Sequence, residues 1–301
     1  MKGMSLRERL VDPRSPDRRP RRAAYALPTL FTAANVFLGF YALLEIFQGA
    51  IQMAQDDPGA HLHLRFAAIA IAAAVFFDGL DGRIARMTNT VSDFGRELDS
   101  LADVITFGIA PAALAFEWGV YFVRPADPVV QYYLRHAGYF LTFLFLLCGA
   151  CRLARFNIQK NPVPKNPGRS DRKYFVGLPI PAAAGGVAGV VYASDGVPLF
   201  GLPPDNWIAS AAWLALIGLL SFLMVSTWRY PSFKDLSLTR PRSPLTFVVL
   251  ASAIYLVVNF SRPALLAMAA SYVLSGIVLR LGGIIRRRFR PAHAEPERQV
   301  G

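Results

Sequence analysis

Between residues 78 and 103 the chain reads DGLDGRIARMTNTVSDFGRELDSLAD, with four carboxylates at fixed offsets: Asp78, Asp81, Asp99 and Asp103. Residues three or four apart share a helical face, so Asp78 and Asp81 project together, as do Asp99 and Asp103. Two such pairs on neighbouring helices bring four acids into one small volume. That charge repels itself unless cations neutralise it, and oxygen-only donors select Mg²⁺, Mn²⁺ or Ca²⁺. Between the pairs stand Gly82, Ala85, Arg86 and Gly95. Gly82 and Ala85 lie three apart on one face. Their lack of bulk either admits a phosphate close to the backbone or lets two helices pack closely. Arg86 is either a bidentate partner for a pyrophosphate or one of the positive charges that collect beside membrane helices.

These residues have to be held by membrane helices. Of the 301 residues, 54% are hydrophobic, more than an ordinary soluble domain carries. Apolar runs long enough to cross a bilayer fall at about 28–49, 64–84, 99–122, 137–157, 176–195, 207–228, 245–260 and 263–284. The expected fold is therefore an all-α, polytopic membrane bundle of about eight helices. The fifth run is loosened by Gly and Pro, and the seventh is short.

The net charge of +12 is high enough to suggest nucleic acid, but its placement argues against that. Segments 1–27, 83–96, 152–173, 229–242 and 280–298 hold 28 of the 32 Lys and Arg. The alternating segments carry only Arg65, Arg124, Arg135 and Arg262. Every other loop is basic, which puts both termini and the 78–103 region on the cytoplasmic side of the cell membrane. The second run ends in one Asp pair and the third begins with the other. Both pairs then sit near the inner boundary of adjacent antiparallel helices, within reach of cytosolic ions and of a lipid headgroup. The organisation expected is a basic segment at 1–26, six helices over 27–235, two further helices over 236–285 and a basic or polar tail at 286–301.

The remaining polar signals are less specific. Asn35 lies in an apolar run, where an unpaired amide is costly; it serves either the site or a bond between helices. His61 and His63, next to Asp56 and Asp57, read as a solvated external loop. Cys148 and Cys151 read as small buried packing residues, with no disulfide framework. Trp118, Trp207, Trp213 and Trp228 read as interfacial anchors.

The spacing D-x2-D-G-x2-A-R-x8-G-x3-D-x3-D, filled at every fixed position by Asp78, Asp81, Gly82, Ala85, Arg86, Gly95, Asp99 and Asp103, resembles the signature of the CDP-alcohol phosphotransferases. Four more stretches, TFGIAPAA (106–113), RLARFN (152–157), YFVGLPIPAAAG (174–185) and STWRYPSFK (226–234), make the chain similar to the phosphatidylserine synthase branch over about 28–235. The resemblance implies that Asp78, Asp81 and Asp99 bind metal. It gives Asp103 a contact to the second of two Mg²⁺ or Mn²⁺ ions and the role of base toward the attacking hydroxyl. It places Gly82, Ala85, Arg86, Ser92, Gly95 and Asn35 against CDP-diacylglycerol, and it suggests a homodimer.

The implied reaction joins the phosphatidyl group of CDP-diacylglycerol to the hydroxyl of L-serine and releases CMP. Arg152 and Arg155, three apart on one face, with Asn157 nearby, are candidates for the serine carboxylate or a lipid phosphate; otherwise they are inside-face charges. The Pro179 and Pro181 pair is expected to free backbone carbonyls within a helix lining a cavity. The same chemistry with glycerol 3-phosphate, inositol phosphate or choline as acceptor is the nearest alternative. An ion-coupled transporter would also place carboxylates in helices, but it does not explain the glycines, Ala85 and Arg86 at their intervals. A non-catalytic lipid-binding scaffold would bind without turnover.

Overall fold

The computed structural model describes residues 22–88, 93–125, 127–159, 174–203, 205–231 and 261–288. Seven helices in this set are long and apolar enough to cross a membrane, which makes the chain an all-helical integral membrane protein. In chain order they are α1 (Arg22–Ala54), α2 (Ala60–Thr88), α3 (Phe94–Tyr121), α4 (Pro128–Gln159), α5 (Ile180–Ala193), α6 (Trp207–Val225) and α7 (Ser261–Arg288). Six match the expected runs 28–49, 64–84, 99–122, 137–157, 176–195 and 207–228, and α7 matches 263–284. The expected span at 245–260 lies outside the described residues, as do most of the N-terminal segment and of the C-terminal tail.

Helix length separates lipid-facing from buried elements. At 1.5 Å per residue, the 33 residues of α1 and the 32 of α4 exceed a hydrocarbon core of about 30 Å. Both expose large apolar side chains, Phe37, Phe40 and Phe47 on α1 and Phe140, Phe143 and Leu147 on α4, as lipid contact requires. The α5 helix proper has 14 residues, and the 22-residue span that it begins runs on through the following turn to Gly201. It can be short because it lies inside the bundle, with Ile180, Ala183, Ala184, Val187, Ala188 and Val191 fully buried. It packs against α2 on one side and α7 on another. Small residues make these approaches close: a Cβ added to Gly189 would stand 3.7 Å from Leu266 Cα on α7.

Two three-residue strands, β1 (Tyr174–Val176) and β2 (Arg229–Pro231), pair antiparallel with Phe175 opposite Tyr230. They join the start of α5 to the end of α6. Gly177 follows β1 at φ +79, a left-handed conformation that a side chain disfavours. There its N–H donates to the Trp228 carbonyl at 2.8 Å. A Cβ at Gly177 would also lie 3.0 Å from the Ser226 carbonyl, so no other residue fits without rearrangement.

Four expectations change. Pro179 caps α5 and Pro181 lies in its first turn, where a missing N–H is harmless, so neither interrupts the helix. His61 and His63 are helical, in the first turns of α2, and His63 Nδ1 pairs with Glu45 Oε2 at 2.7 Å. Trp118 and Trp213 are 2% and 5% exposed, core residues rather than interfacial anchors. Their indole N–H groups donate to the Val197 and Ala115 carbonyls at 2.9 Å each, which permits the burial. Cys148 is half-buried and Cys151 exposed, both as free thiols, so Cys151 is not a core packing residue.

Candidate metal centre and acceptor site

Asp78 lies near the end of the apolar part of α2, and Asp99 and Asp103 lie one turn apart at the start of α3. Across the two helices, one carboxylate oxygen from each of the three falls within 4.8 Å of the others. Hard-cation bonds are about 2.0–2.6 Å long, so oxygens up to about 5 Å apart can share an ion. Asp103 is 7% exposed, while Asp78 and Asp99 are half-buried. Three like charges held this close and shielded from water are unfavourable alone, and an oxygen-only donor set fits Mg²⁺ or Mn²⁺. The α2 backbone continues through Asp81, Gly82, Ala85 and Arg86. Their side chains, and all of Ser92, lie outside the described residues. Gly95 sits one turn before Asp99.

The backbone after Asp103 departs from α geometry. Val104–Ile109 forms a π-helical turn, with Thr106, Phe107 and Gly108 buried in it. Such wide turns occur mostly as short insertions and frequently at functional sites. This one brings α3 against α1: Thr106 Oγ1 donates to the Asn35 carbonyl at 3.0 Å, and a Cβ on Gly39 would lie 2.8 Å from Thr106 Cα. Asn35 is 2% exposed, and its side-chain Oδ1 has no hydrogen-bond partner among the described residues. The segment TFGIAPAA therefore joins the carboxylates to the helix carrying Asn35.

The end of α4 closes the site from another side. Arg152 is 8% exposed and lies in the electrostatic field of Asp103 and Asp78. Its guanidinium stands 6.0 Å from the Phe156 ring centroid, and its Nε has no hydrogen-bond partner among the described residues. Arg155 is engaged differently: Nη1 donates to the Val225 carbonyl at 3.3 Å and Nη2 to the Val176 carbonyl at 3.2 Å. It ties α4 to the end of α6 and to β1. Asn157 Nδ2 donates to Ser100 Oγ at 2.8 Å, and Ser100 lies beside Asp99 on α3. Of the three candidates on RLARFN, Arg152 alone combines burial with proximity to the acids; the other two fasten α4 to its neighbours.

Two residues that the motif reading passed over also belong here. Tyr272 of α7 lies in the electrostatic neighbourhood of Arg152, and its ring centroid is 5.8 Å from that of Tyr230 on β2. Tyr230 is fully buried against Gly276 of α7, and burial pushes its phenol up to about 12. The sequence did carry a faint signal, since Gly276 four residues after Tyr272 leaves room for a large ring on that helix face.

The description CDP-alcohol phosphatidyltransferase belongs to a family model that matches residues 25–217 of this chain. A CDP-diacylglycerol–serine O-phosphatidyltransferase of Helicobacter pylori (strain ATCC 700392 / 26695) is 36% identical over 261 residues, 86% of this chain and 92% of the relative. One of Bacillus subtilis (strain 168) is 31% identical over 210 residues, 69% and 91% of the two chains. An archaetidylserine synthase of Methanothermobacter thermautotrophicus is 33% identical, covering 68% of this chain and 70% of its own. With the family model spanning well over half its length, and the acids of the motif meeting where two of its helices meet, the chain belongs to the CDP-alcohol phosphatidyltransferase family.

Proposed function

We propose that this protein transfers the phosphatidyl group of CDP-diacylglycerol to the hydroxyl of L-serine, giving phosphatidylserine and CMP. The observation that carries the reading is the convergence of Asp78, Asp99 and Asp103 within 4.8 Å, with Arg152 beside them. It occurs in a chain whose relatives are named as serine and archaetidylserine synthases. Asp78, Asp81, Asp99 and Asp103 would hold two Mg²⁺ or Mn²⁺ ions. When bound, such a pair neutralises the pyrophosphate and stabilises the attacking and leaving oxygens of an in-line displacement.

The chain's own residues do the rest. Asp103, more buried than Asp78 and Asp99, accepts the proton of the serine hydroxyl. The serine oxygen then forms its bond to the diacylglycerol-bearing phosphorus, and the bond from that phosphorus to the CMP oxygen breaks. CMP leaves with the electron pair. Gly82, Ala85, Arg86, Ser92, Gly95 and Asn35 hold the nucleotide lipid, Arg86 through its pyrophosphate. The unpartnered Oδ1 of Asn35 is an acceptor suited to a base amino group. Arg152 receives the serine carboxylate. Arg155 and Asn157 position it indirectly, by fastening the end of α4 to β1, α6 and α3. The basic segments put the active site on the cytoplasmic side of the cell membrane, and the protein works as a homodimer.

Purified protein supplied with CDP-diacylglycerol and each candidate alcohol tests the reading. CMP release that requires L-serine, and not glycerol 3-phosphate, inositol phosphate or choline, is expected. Release driven better by a phosphorylated alcohol would transfer the assignment to another acceptor.

A further inference from the structure

The family match ends at residue 217, and β2 and α7 lie beyond it. Both nevertheless take part in a belt of contacts around the end of the bundle that carries the acids. The belt starts beside Asp99, where Ser100 Oγ on α3 accepts from Asn157 Nδ2 on α4 at 2.8 Å. Two residues back on α4, Arg155 donates to the Val225 carbonyl at the end of α6 and to the Val176 carbonyl of β1. The left-handed turn at Gly177 keeps β1 in place, since Gly177 N–H donates to the Trp228 carbonyl and Leu178 N–H to the Leu223 carbonyl at 3.0 Å. β1 pairs with β2, and Tyr230 of β2 is fully buried with its ring against Gly276 of α7. A Cβ built on Gly276 would overlap Cζ and Cε1 of that ring, so a side chain there displaces it. Tyr272, one turn earlier on α7, flanks the same ring with centroids 5.8 Å apart. The Tyr230 hydroxyl has no hydrogen-bond partner among the described residues, so the ring is held by shape rather than by a bond from its oxygen.

We infer that the seat of Tyr230 on Gly276 makes α7 a positioning element for the acceptor end of α4. The seat fixes β2 and with it β1, and β1 holds Arg155, one turn from Arg152 on the same helix. This rests on the serine-transfer reading above and adds to it two positioning residues, Tyr230 and Gly276, from outside the family-matched region. The residues proposed for the nucleotide lipid lie on α1, on α2 and in the segment before Asp99, and none of them is a link in the belt. Loosening the belt should therefore be felt at the acceptor and not at CDP-diacylglycerol.

The test uses the full chain in vesicles containing CDP-diacylglycerol, with L-serine as acceptor, CMP release as readout and the thermal midpoint measured alongside. Gly276→Ala adds the methyl that the ring excludes, and Tyr230→Leu removes the ring. Each should raise KM for serine about 10-fold and leave KM for CDP-diacylglycerol unchanged. The double variant, in which the methyl takes part of the space the ring leaves, should recover most of the loss. Arg155→Gln cuts the next link; it should act on serine in the same way and add little to Tyr230→Leu, because both release the same turn of α4. This second cycle decides the matter if Gly276→Ala does not fold. If Tyr230→Leu keeps the KM for serine of the unaltered protein, or its effect and that of Arg155→Gln simply add, the inference fails while serine transfer stands. It fails equally if both substrates weaken together as the thermal midpoint falls, which is the mark of packing alone. If the unaltered protein releases no CMP with serine, both readings fall.

Discussion

The two ends of α2 treat charge in opposite ways. Near its start, His63 pairs with Glu45, and Arg65 pairs with Asp195 at 2.9 Å, an acid that Arg262 of α7 also reaches. About 20 Å along the helix axis, Asp78 stands with Asp99 and Asp103, like charges within 4.8 Å, and Arg152 is buried beside them. At the first end these charges meet their opposites between α1, α2, α7 and the turn after α5, which fastens the bundle. At the second, three acids from two helices converge on one point. The cavity at the first end, about 410 Å³ and bordered by Asp56, Asp57 and His61, lacks any such convergence. Volume therefore does not locate the chemistry here. The convergence of acids does, because oxygen donors brought this close together from two helices suit a hard cation.

The largest effect should come from removing one of the converging acids. Asp78→Asn or Asp99→Asn should lower turnover by about 10³-fold or more, since several kcal/mol of transition-state stabilisation depends on the charge held there. Both variants should remain folded, with a thermal midpoint within a few degrees of that of the unaltered protein. A variant that is inactive because it unfolds would break the contrast between the two ends.

Next in size is Arg152→Gln. Losing a charged donor to a carboxylate costs about 1.5–3 kcal/mol, or about 10- to 100-fold in KM for serine. KM for CDP-diacylglycerol should change far less. Equal losses for both substrates would assign Arg152 to the pyrophosphate instead.

At the fastened end the effects should reverse. Asp195→Asn removes both ion pairs of a partly exposed acid. It should destabilise by about 1 kcal/mol at most, a few degrees in thermal midpoint, with kcat unchanged. A large loss of activity would show that the two ends are coupled rather than divided in labour.

The smallest expected effect concerns Tyr230. Its folded pKa of about 12 stands above the ordinary 10.0. The unfolded chain therefore loses this proton first as pH rises. Stability attributable to the group is intact below pH 10 and is lost between about 10 and 12. Tyr230→Phe should flatten the alkaline unfolding curve in that window, read by tryptophan fluorescence, and leave it unchanged at neutral pH.

The parts of this site that were legible in the sequence are those within one helix or across one short connection. Asp78, Asp99 and Asp103 meet because each lies at the junction of an apolar run and a short loop, and helical periodicity fixes the direction of each pair. Arg152 was legible as a candidate, but its separation from Arg155 was not. Which of two arginines three residues apart faces the acids depends on the rotation of α4 against α3 and α6. Tyr272 lies more than a hundred residues from Arg152, and no local pattern encodes that distance. Trp118 and Trp213 were misjudged because position along a span does not reveal whether a carbonyl is available to the indole N–H. The pairing of β1 with β2 was also hidden, since three-residue strands leave almost no periodicity to read.

The most direct test of the central claim, that clustered acids hold divalent cations that make serine transfer possible, is CMP release from CDP-diacylglycerol and L-serine by the purified chain before chelation, after it, and after adding cations back. The account predicts that a chelator abolishes release and that Mg²⁺ or Mn²⁺ restores it, while Asp99→Asn gives none under any of the three conditions. Undiminished release in the presence of excess chelator would contradict it.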